Sequence, residues 1–345
     1  MGRSRRSQGI ECLAIFAALS AALLDIAAPA AQSAQPLAVG LVFSVGGLGD
    51  ASFNDSAHEG LQRAKRDFGI EALEYEPGDA SQREPLARRL AVKADLIFGV
   101  GLFFSDDFIK LAAQFPARKF AVVDFVGDEQ SMPANLLGIR FREQEGAFLV
   151  GAAAALAART DTVGFVGGMD SPLIRKFEAG YRAGVKAARP GMRVVAAYAG
   201  VTGQAFADPA KGAELAKAQF DAGADIIFQA AGTTGFGVFK AAEERGRRAI
   251  GVDADQSHMA KPGVIVTSML KNTSETVYRA IDSFTKGEWQ GGIREFGLAE
   301  NAIDYVANDA NLDVITPEIR QRVEAFRAAI VAGEIQVPVD PKSVQ

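Results

Sequence analysis

One short pattern occurs twice in this chain, and few folds are open to a chain that repeats it. Residues 39–61 read VGLVFSVGGLGDASFNDSAHEGL. Val39, Leu41, Val42, Phe43 and Val45 form an apolar run, Gly46, Gly47, Leu48 and Gly49 a loop, and Ala57, Leu61, Ala64 and Phe68 one face of an amphipathic stretch. The spacing predicts a buried strand, a tight glycine turn and a helix, with Ser52 as its N-cap and Asp55 three positions on. From Thr162 the order recurs: Val163-Gly164-Phe165-Val166-Gly167-Gly168, then a helix over 173–188.

Between the two copies, strands at 72–75, 94–100, 119–124 and 136–141 alternate with helices at 82–91 and 106–114. Such alternation predicts an α/β fold with a parallel sheet, right-handed crossovers and helices on both faces. An Ala/Leu-rich helix over 143–158 leads into a second lobe, with strands at 194–198, 225–229 and 249–253 and helices at 210–222 and 236–245. The strand at 264–269 is expected to pass back to the first lobe, followed by a helix over 273–284. A strand at 302–306 and a helix over 317–332 are placed on the second lobe. The expected division is 35–141 plus 268–298 for lobe one and 142–267 plus 299–345 for lobe two, with a hinge of interlobe strands near Phe141 and Ser268.

The first 34 residues follow the order of a secretory signal: Arg3, Arg5 and Arg6, an apolar stretch from Cys12 to Leu24, then Pro29 and small residues through Ala34. The apolar stretch is short for a membrane span and Asp25 interrupts it, so cleavage is expected rather than anchoring. Ser4-Arg5-Arg6 is a partial twin-arginine pattern and leaves the export route open. Roughly 310 residues remain, enough for two cores. The single cysteine, Cys12, lies in the signal, so disulfides, a thiol nucleophile and a cysteine metal site are excluded from the mature chain. With only His58 and His258, no metal centre is expected, and no cofactor. A net charge of −5 without a basic run argues against nucleic acid as a partner. The expectation is a soluble, monomeric periplasmic protein.

Motifs for catalysis are missing. Residues 46–49 do not match G-x-G-x-x-G, and neither a phosphate-binding G-x-x-x-x-G-K-[ST] loop nor a G-x-S-x-G elbow occurs. Ser268-Met269-Leu270-Lys271 spells S-x-x-K, but on a strand positions three apart face opposite sides, and no S-D-N or K-T-G accompanies it. What remains is a group of residues at the carboxyl ends of predicted strands, where open α/β sheets bind ligands: Asp50, Asn54, Asp124, Phe177, Gly232, Asp253 and Lys271. Individually, Asp50 reads as a turn residue, Phe177 as core and Lys271 as a solvated charge; their shared position makes them site candidates.

Four ordered segments carry a family resemblance. Gly46 through Asn54 (GGLGDASFN), Glu145 through Gly151 (EGAFLVG), Val163 through Met169 with Phe177-Glu178-Ala179-Gly180-Tyr181, and Gly251 through Gln256 (GVDADQ) resemble the basic membrane protein family. Its PnrA-like members are substrate-binding components of ABC transporters. The resemblance implies a type I periplasmic-binding-protein fold: two Rossmann-like lobes with parallel sheets, joined by a multi-strand hinge and closing on a purine nucleoside for delivery to an ABC permease. The family often has paired acids before S-F-N, where this chain has Gly49-Asp50, and an aromatic four residues after the asparagine, where it has His58. His58 and Phe177 are the expected stacking partners, Asp50, Asn54 and Asp124 the groups facing the base, Asp253 the acceptor for vicinal ribose hydroxyls and Lys271 a donor. A sugar receptor of the same fold and an exported nucleoside hydrolase are the alternative readings; no clustered run of aspartates supports the hydrolase.

Overall fold

The computed structural model describes residues 36–308 and 311–344; the expected export signal lies outside the described residues. Fully apolar five-residue runs make strands that are buried on both faces, and two of them sit at the middle of the first sheet: β1 (Ala38–Val42) and β3 (Leu96–Val100). With β2 (Glu71–Tyr75), β4 (Lys119–Val123), β5 (Leu136–Phe141) and β11 (Gly292–Phe296) they form an all-parallel sheet of order β2-β1-β3-β4-β5-β11. The second sheet repeats this plan with β6 (Thr162–Met169), β7 (Arg193–Gly200), β8 (Ile226–Ala230), β9 (Arg248–Asp253), β10 (Ile265–Lys271) and β12 (Ile303–Tyr305), in the order β7-β6-β8-β9-β10-β12. Only its edge pair, β10 with β12, is antiparallel. The chain thus builds two α/β lobes from one doubly wound plan, and in each the strand order reverses beside the first strand.

Helices α1 (Phe53–Phe68), α2 (Arg83–Lys93) and α3 (Ser105–Gln114) cover the first sheet, and α4 (Glu143–Ala157), α5 (Pro172–Ala188), α6 (Pro209–Asp221) and α7 (Thr234–Arg245) the second. α4 is apolar all round and buried along nearly its whole length, because α5 packs on one side, β10 on another and α9 (Pro317–Val331) on a third. Small residues let α4 and α5 approach closely: a Cβ added at Gly184 would stand 2.0 Å from the Phe148 carbonyl oxygen, and one at Gly151 2.3 Å from that of Tyr181.

Two assignments from sequence need correction. The strand at 265–271 pairs with β9 and β12 in the second sheet, so the return to lobe one falls after Lys271 rather than at Ser268. A strand buried on both faces suits either sheet, and its own pattern carries no address. It is α8 (Thr273–Thr285), packed on α1, that belongs to lobe one. β11 was not expected at all, since its sequence GIREF neither alternates nor forms an apolar run and its side chains are mostly half-buried at a sheet edge. The chain therefore crosses between lobes after Phe141, after Lys271 and between Phe296 and Ile303. The tail lies on lobe two as expected, with Phe326 of α9 edge-on to Phe148 of α4 at 5.4 Å.

Gly184→Ala tests the helix contact. Alanine in a helix interior ordinarily gains about 1 kcal/mol over glycine. Here the added methyl meets backbone, so a net loss of about 1–3 kcal/mol is expected, read as a lower urea midpoint at unchanged slope. A midpoint at or above that of the wild type would show that the two helices separate without cost.

Candidate functional site

The loop after β1 is built by its own carboxylates. Asp50 is buried and accepts from the Ser52, Asn54 and Asp55 N–H groups at 2.9–3.1 Å and from Asn54 Nδ2 at 3.0 Å, which caps the first turn of α1. Burial pushes its carboxyl above the usual range, against the pull of those backbone donors. Asp55 reaches back to the Gly49 and Ala51 N–H groups at 2.8 Å, and Asn54 Oδ1 accepts from both Ser44 N and Ser44 Oγ. Gly46, Gly47 and Gly49 all have positive φ, which this tight course requires. Asp50 rather than Ser52 thus caps the helix, a correction to the sequence expectation, and the Ser52 hydroxyl is turned to Asp253 Oδ2 of the other lobe at 2.5 Å.

Where the lobes meet, Lys271 ends β10 with 2% of its surface exposed. Its Nζ lies 2.7 Å from both Asp124 oxygens, of which Oδ2 has the angle for a hydrogen bond, and 3.7 Å from Glu143 Oε1. It stands 4.6, 5.0 and 6.0 Å from the ring centres of Phe53, Phe141 and Phe177. Glu143, fully buried at the start of α4, also meets Lys176 Nζ at 3.1 Å. Burial alone would lower the Lys271 pKa, but Asp124, Glu143 and Asp253 outweigh it and hold the ammonium above its usual value. Burial raises Glu143, and it raises Asp253 to about 6 in spite of Lys271 and the Ser52 hydrogen bond. Asp124 and Asp253 both have positive φ, 63° and 65°, which turns each carboxylate off its strand end.

These groups line a cavity of about 760 Å³, counted to its open mouth. Asp50, Asn54, Asp124, Phe177, Gly232, Asp253 and Lys271 all reach it. His58 does not: it stands one turn further along α1, about 6 Å past Asn54, with Nδ1 2.6 Å from Glu74 Oε1 of β2. The cleft opens on the helix N-terminus, and only the first turn lines it, so the aromatic that α1 contributes is its first residue, Phe53. Sequence reading also missed Phe103 and Phe206, which line the cavity from short 3-10 turns over 102–104 and 203–206, and Glu143 behind Lys271. The order S-F-N contained the signal for Phe53; nothing local marked the other three.

The wall is mostly apolar, with acceptors left over. Asp124 Oδ1 is buried with no hydrogen bond beyond its ion-pair contact with Lys271, and among the described residues only Ser52 donates to the half-buried Asp253 carboxylate, through Oδ2. Both carboxylates keep acceptor capacity in an aromatic cleft, which suits a ligand with donors. No group of acids, histidines or cysteines among the described residues has the arrangement of a metal site.

Removing the cation should leave three buried carboxylates facing one another. Lys271→Met is expected to cost about 3–5 kcal/mol near pH 7. Burial already holds the Glu143 and Asp253 carboxyls above their usual values against the pull of Lys271, and without that cation they lie higher still, so their contribution is present below about pH 4 and lost as pH rises. The deficit against wild type should therefore shrink toward pH 5 in urea melts; a deficit that is constant or grows on acidification contradicts this assignment.

The comparisons agree with this geometry. The family model described as ABC transporter substrate-binding protein PnrA-like matches residues 37–341. Basic membrane protein A1 of Borrelia garinii subsp. bavariensis is 34% identical over 304 residues, covering 87% of this chain and 88% of that protein. The ABC transporter nucleoside-binding protein BmpA of Lactococcus lactis subsp. cremoris is 32% identical over 326 residues, covering 88% and 89%. Among solved structures, an ABC transporter system solute-binding protein from Aeropyrum pernix K1 superposes with a TM-score of 0.80 at 29% identity, over 90% of this chain and 95% of that one. Two repeated α/β lobes, a cleft at their strand ends and a match over almost every described residue place the chain in the PnrA-like family of ABC transporter substrate-binding proteins.

Proposed function

We infer that this substrate-binding component of an ABC transporter captures a purine-nucleoside-like molecule between its lobes and presents it to the permease after export to the periplasm. The carrying observation is the set of hydrogen-bonding groups that converge on the cleft, the Asp253 and Asp124 carboxylates and the Lys271 ammonium, surrounded by phenylalanine rings; among the described residues Asp253 Oδ1 receives no donor. Vicinal ribose hydroxyls offer two donors to one carboxylate, which fits Asp253; Lys271 adds a donor beside it. The faces of Phe53, Phe177 and Phe206 suit a flat base, and Asp124 suits its polar edge. Asp50 and Asn54 act by shaping the loop, since their oxygens are already occupied. Binding alone accounts for these groups, and the family is one of solute-binding proteins rather than enzymes. The nucleoside named for the Lactococcus lactis relative supports this choice of ligand.

Two measurements check the reading. Asp253→Ala should weaken a ribonucleoside about ten- to a hundredfold more than its 2′,3′-dideoxy counterpart in calorimetry, a difference of roughly 1.5–3 kcal/mol. Equal losses for the two compounds would remove Asp253 from the ribose site. Because His58 pairs with Glu74 outside the cleft, affinity curves from pH 5.5 to 8 should run parallel for wild type and His58→Phe. Curves that diverge would return His58 to the ligand.

A further inference from the structure

Beyond the groups that line the cavity, and apart from the Lys176 ammonium on the Phe141 carbonyl at the hinge, two hydrogen bonds tie the first loop of lobe one to lobe two. Ser52 Oγ of lobe one donates to Asp253 Oδ2 of lobe two at 2.5 Å, and Gln256 Nε2 of lobe two donates to the Ala51 carbonyl at 3.1 Å. Neither Ser52 nor Gln256 lines the cavity. We propose that these two residues form a latch that holds the lobes closed by protein contacts alone, and so set how fast a ligand leaves without touching it.

Both halves of the latch are built in advance. Gln256 is fully buried, and its Oε1 accepts from Gln229 Nε2 and from the Val252 N–H, each at 2.9 Å. Its backbone N–H donates to Ser268 Oγ at 3.1 Å. With the oxygen committed within lobe two, the amide nitrogen is fixed as the end that faces lobe one, so the side chain is not free to flip. On the other side, Ala51 has φ 45°, a conformation that a residue with a Cβ rarely adopts. The Asp55 carboxylate on its N–H and the Asp50 carboxylate on that of Ser52 hold it there. Asp253, the other partner, also has positive φ, at 65°. The two contacts across the lobes thus each involve a residue held in a strained backbone, where strain tends to gather at elements that switch.

The chemistry of the two bonds fixes what the latch does. Opening the lobes leaves the Ala51 carbonyl and the Gln256 amide to water, and the Ser52 hydroxyl and Asp253 as well, so each bond contributes its net worth to the closed form. One such bond to a charged acceptor is worth about tenfold in the closed-to-open ratio. All of the latch atoms belong to the chain, and only Asp253 is shared with the proposed ribose site, its Oδ2 taken by Ser52 and its Oδ1 left for the solute.

Distances between spin labels test it in the full chain carrying Cys12→Ser. Labels go on Val126→Cys and Val201→Cys, which are 50% and 78% exposed and belong to lobes one and two. In the ligand-free wild type a short-distance population is expected. Ser52→Ala and Gln256→Leu should each reduce its ratio to the long-distance population about tenfold. Ser52→Ala removes a single hydroxyl and no bond within its own lobe, so it decides the matter even where Gln256→Leu unfolds. A wild type with only the long distance, or a Ser52→Ala distribution identical to wild type, overturns the latch.

Discussion

A cation taken out of water has to be compensated at once, and the cleft is arranged around that necessity. Lys271 is buried where the two lobes meet, and the chain surrounds it with Asp124 from lobe one, Glu143 from the start of α4, Asp253 from β9 and the faces of three phenylalanines. No single lobe supplies all of these. The pairing of Lys271 with Asp124 therefore joins the two lobes across the cavity. A buried pair of this kind adds little net stability against an apolar replacement, but removing one partner is expensive. Its value here lies in fixing geometry: it places one ammonium and two carboxylates within reach of a small solute.

The doubly wound plan explains why such a set of groups gathers in one place. Strands β1, β3 and β4 end on the same side of the first sheet, and β6, β8, β9 and β10 end on the facing side of the second. Loops at those ends need not satisfy a ladder, so they are free to carry side chains toward a ligand. In the first loop the acids are used for construction, with Asp50 and Asp55 tying down its N–H groups. This gives the cavity a rigid floor from a segment of mostly small residues. The second lobe repeats the strand and helix order but not the loop: there Ser171 caps α5 with its side chain, and Phe177 is carried by the helix itself.

Much of the fold was legible because apolar runs and helical faces are local signals. The strands at 72–75 and 136–141 and the helices at 105–114 and 273–285 lie within two residues of their expected bounds. Membership of a sheet is not local, so the pattern of β10 does not say which lobe it joins, and a half-buried edge strand such as β11, with adjacent charges at its centre, has neither an apolar run nor an alternation to find. For the site, position at a strand end found seven residues that line the cavity. His58 was misplaced because helical spacing was extended one turn too far into α1, where the cleft no longer reaches. Phe103, Phe206 and Glu143 escaped because their place depends on the angle between lobes, which no window of sequence encodes.

The central claim is that this cleft holds an intact nucleoside-like solute, and a thermal-shift panel followed by recovery of the ligand tests it most directly. Purine and pyrimidine ribonucleosides are compared with pyranose sugars at concentrations well above micromolar. A receptor is stabilised by about 2.7 kcal/mol at a hundred times Kd, which raises the melting temperature by several degrees. The account predicts such a rise with at least one ribonucleoside, which chromatography then recovers unchanged from the protein. A rise with pyranoses alone, or recovery of free base and ribose, would contradict it.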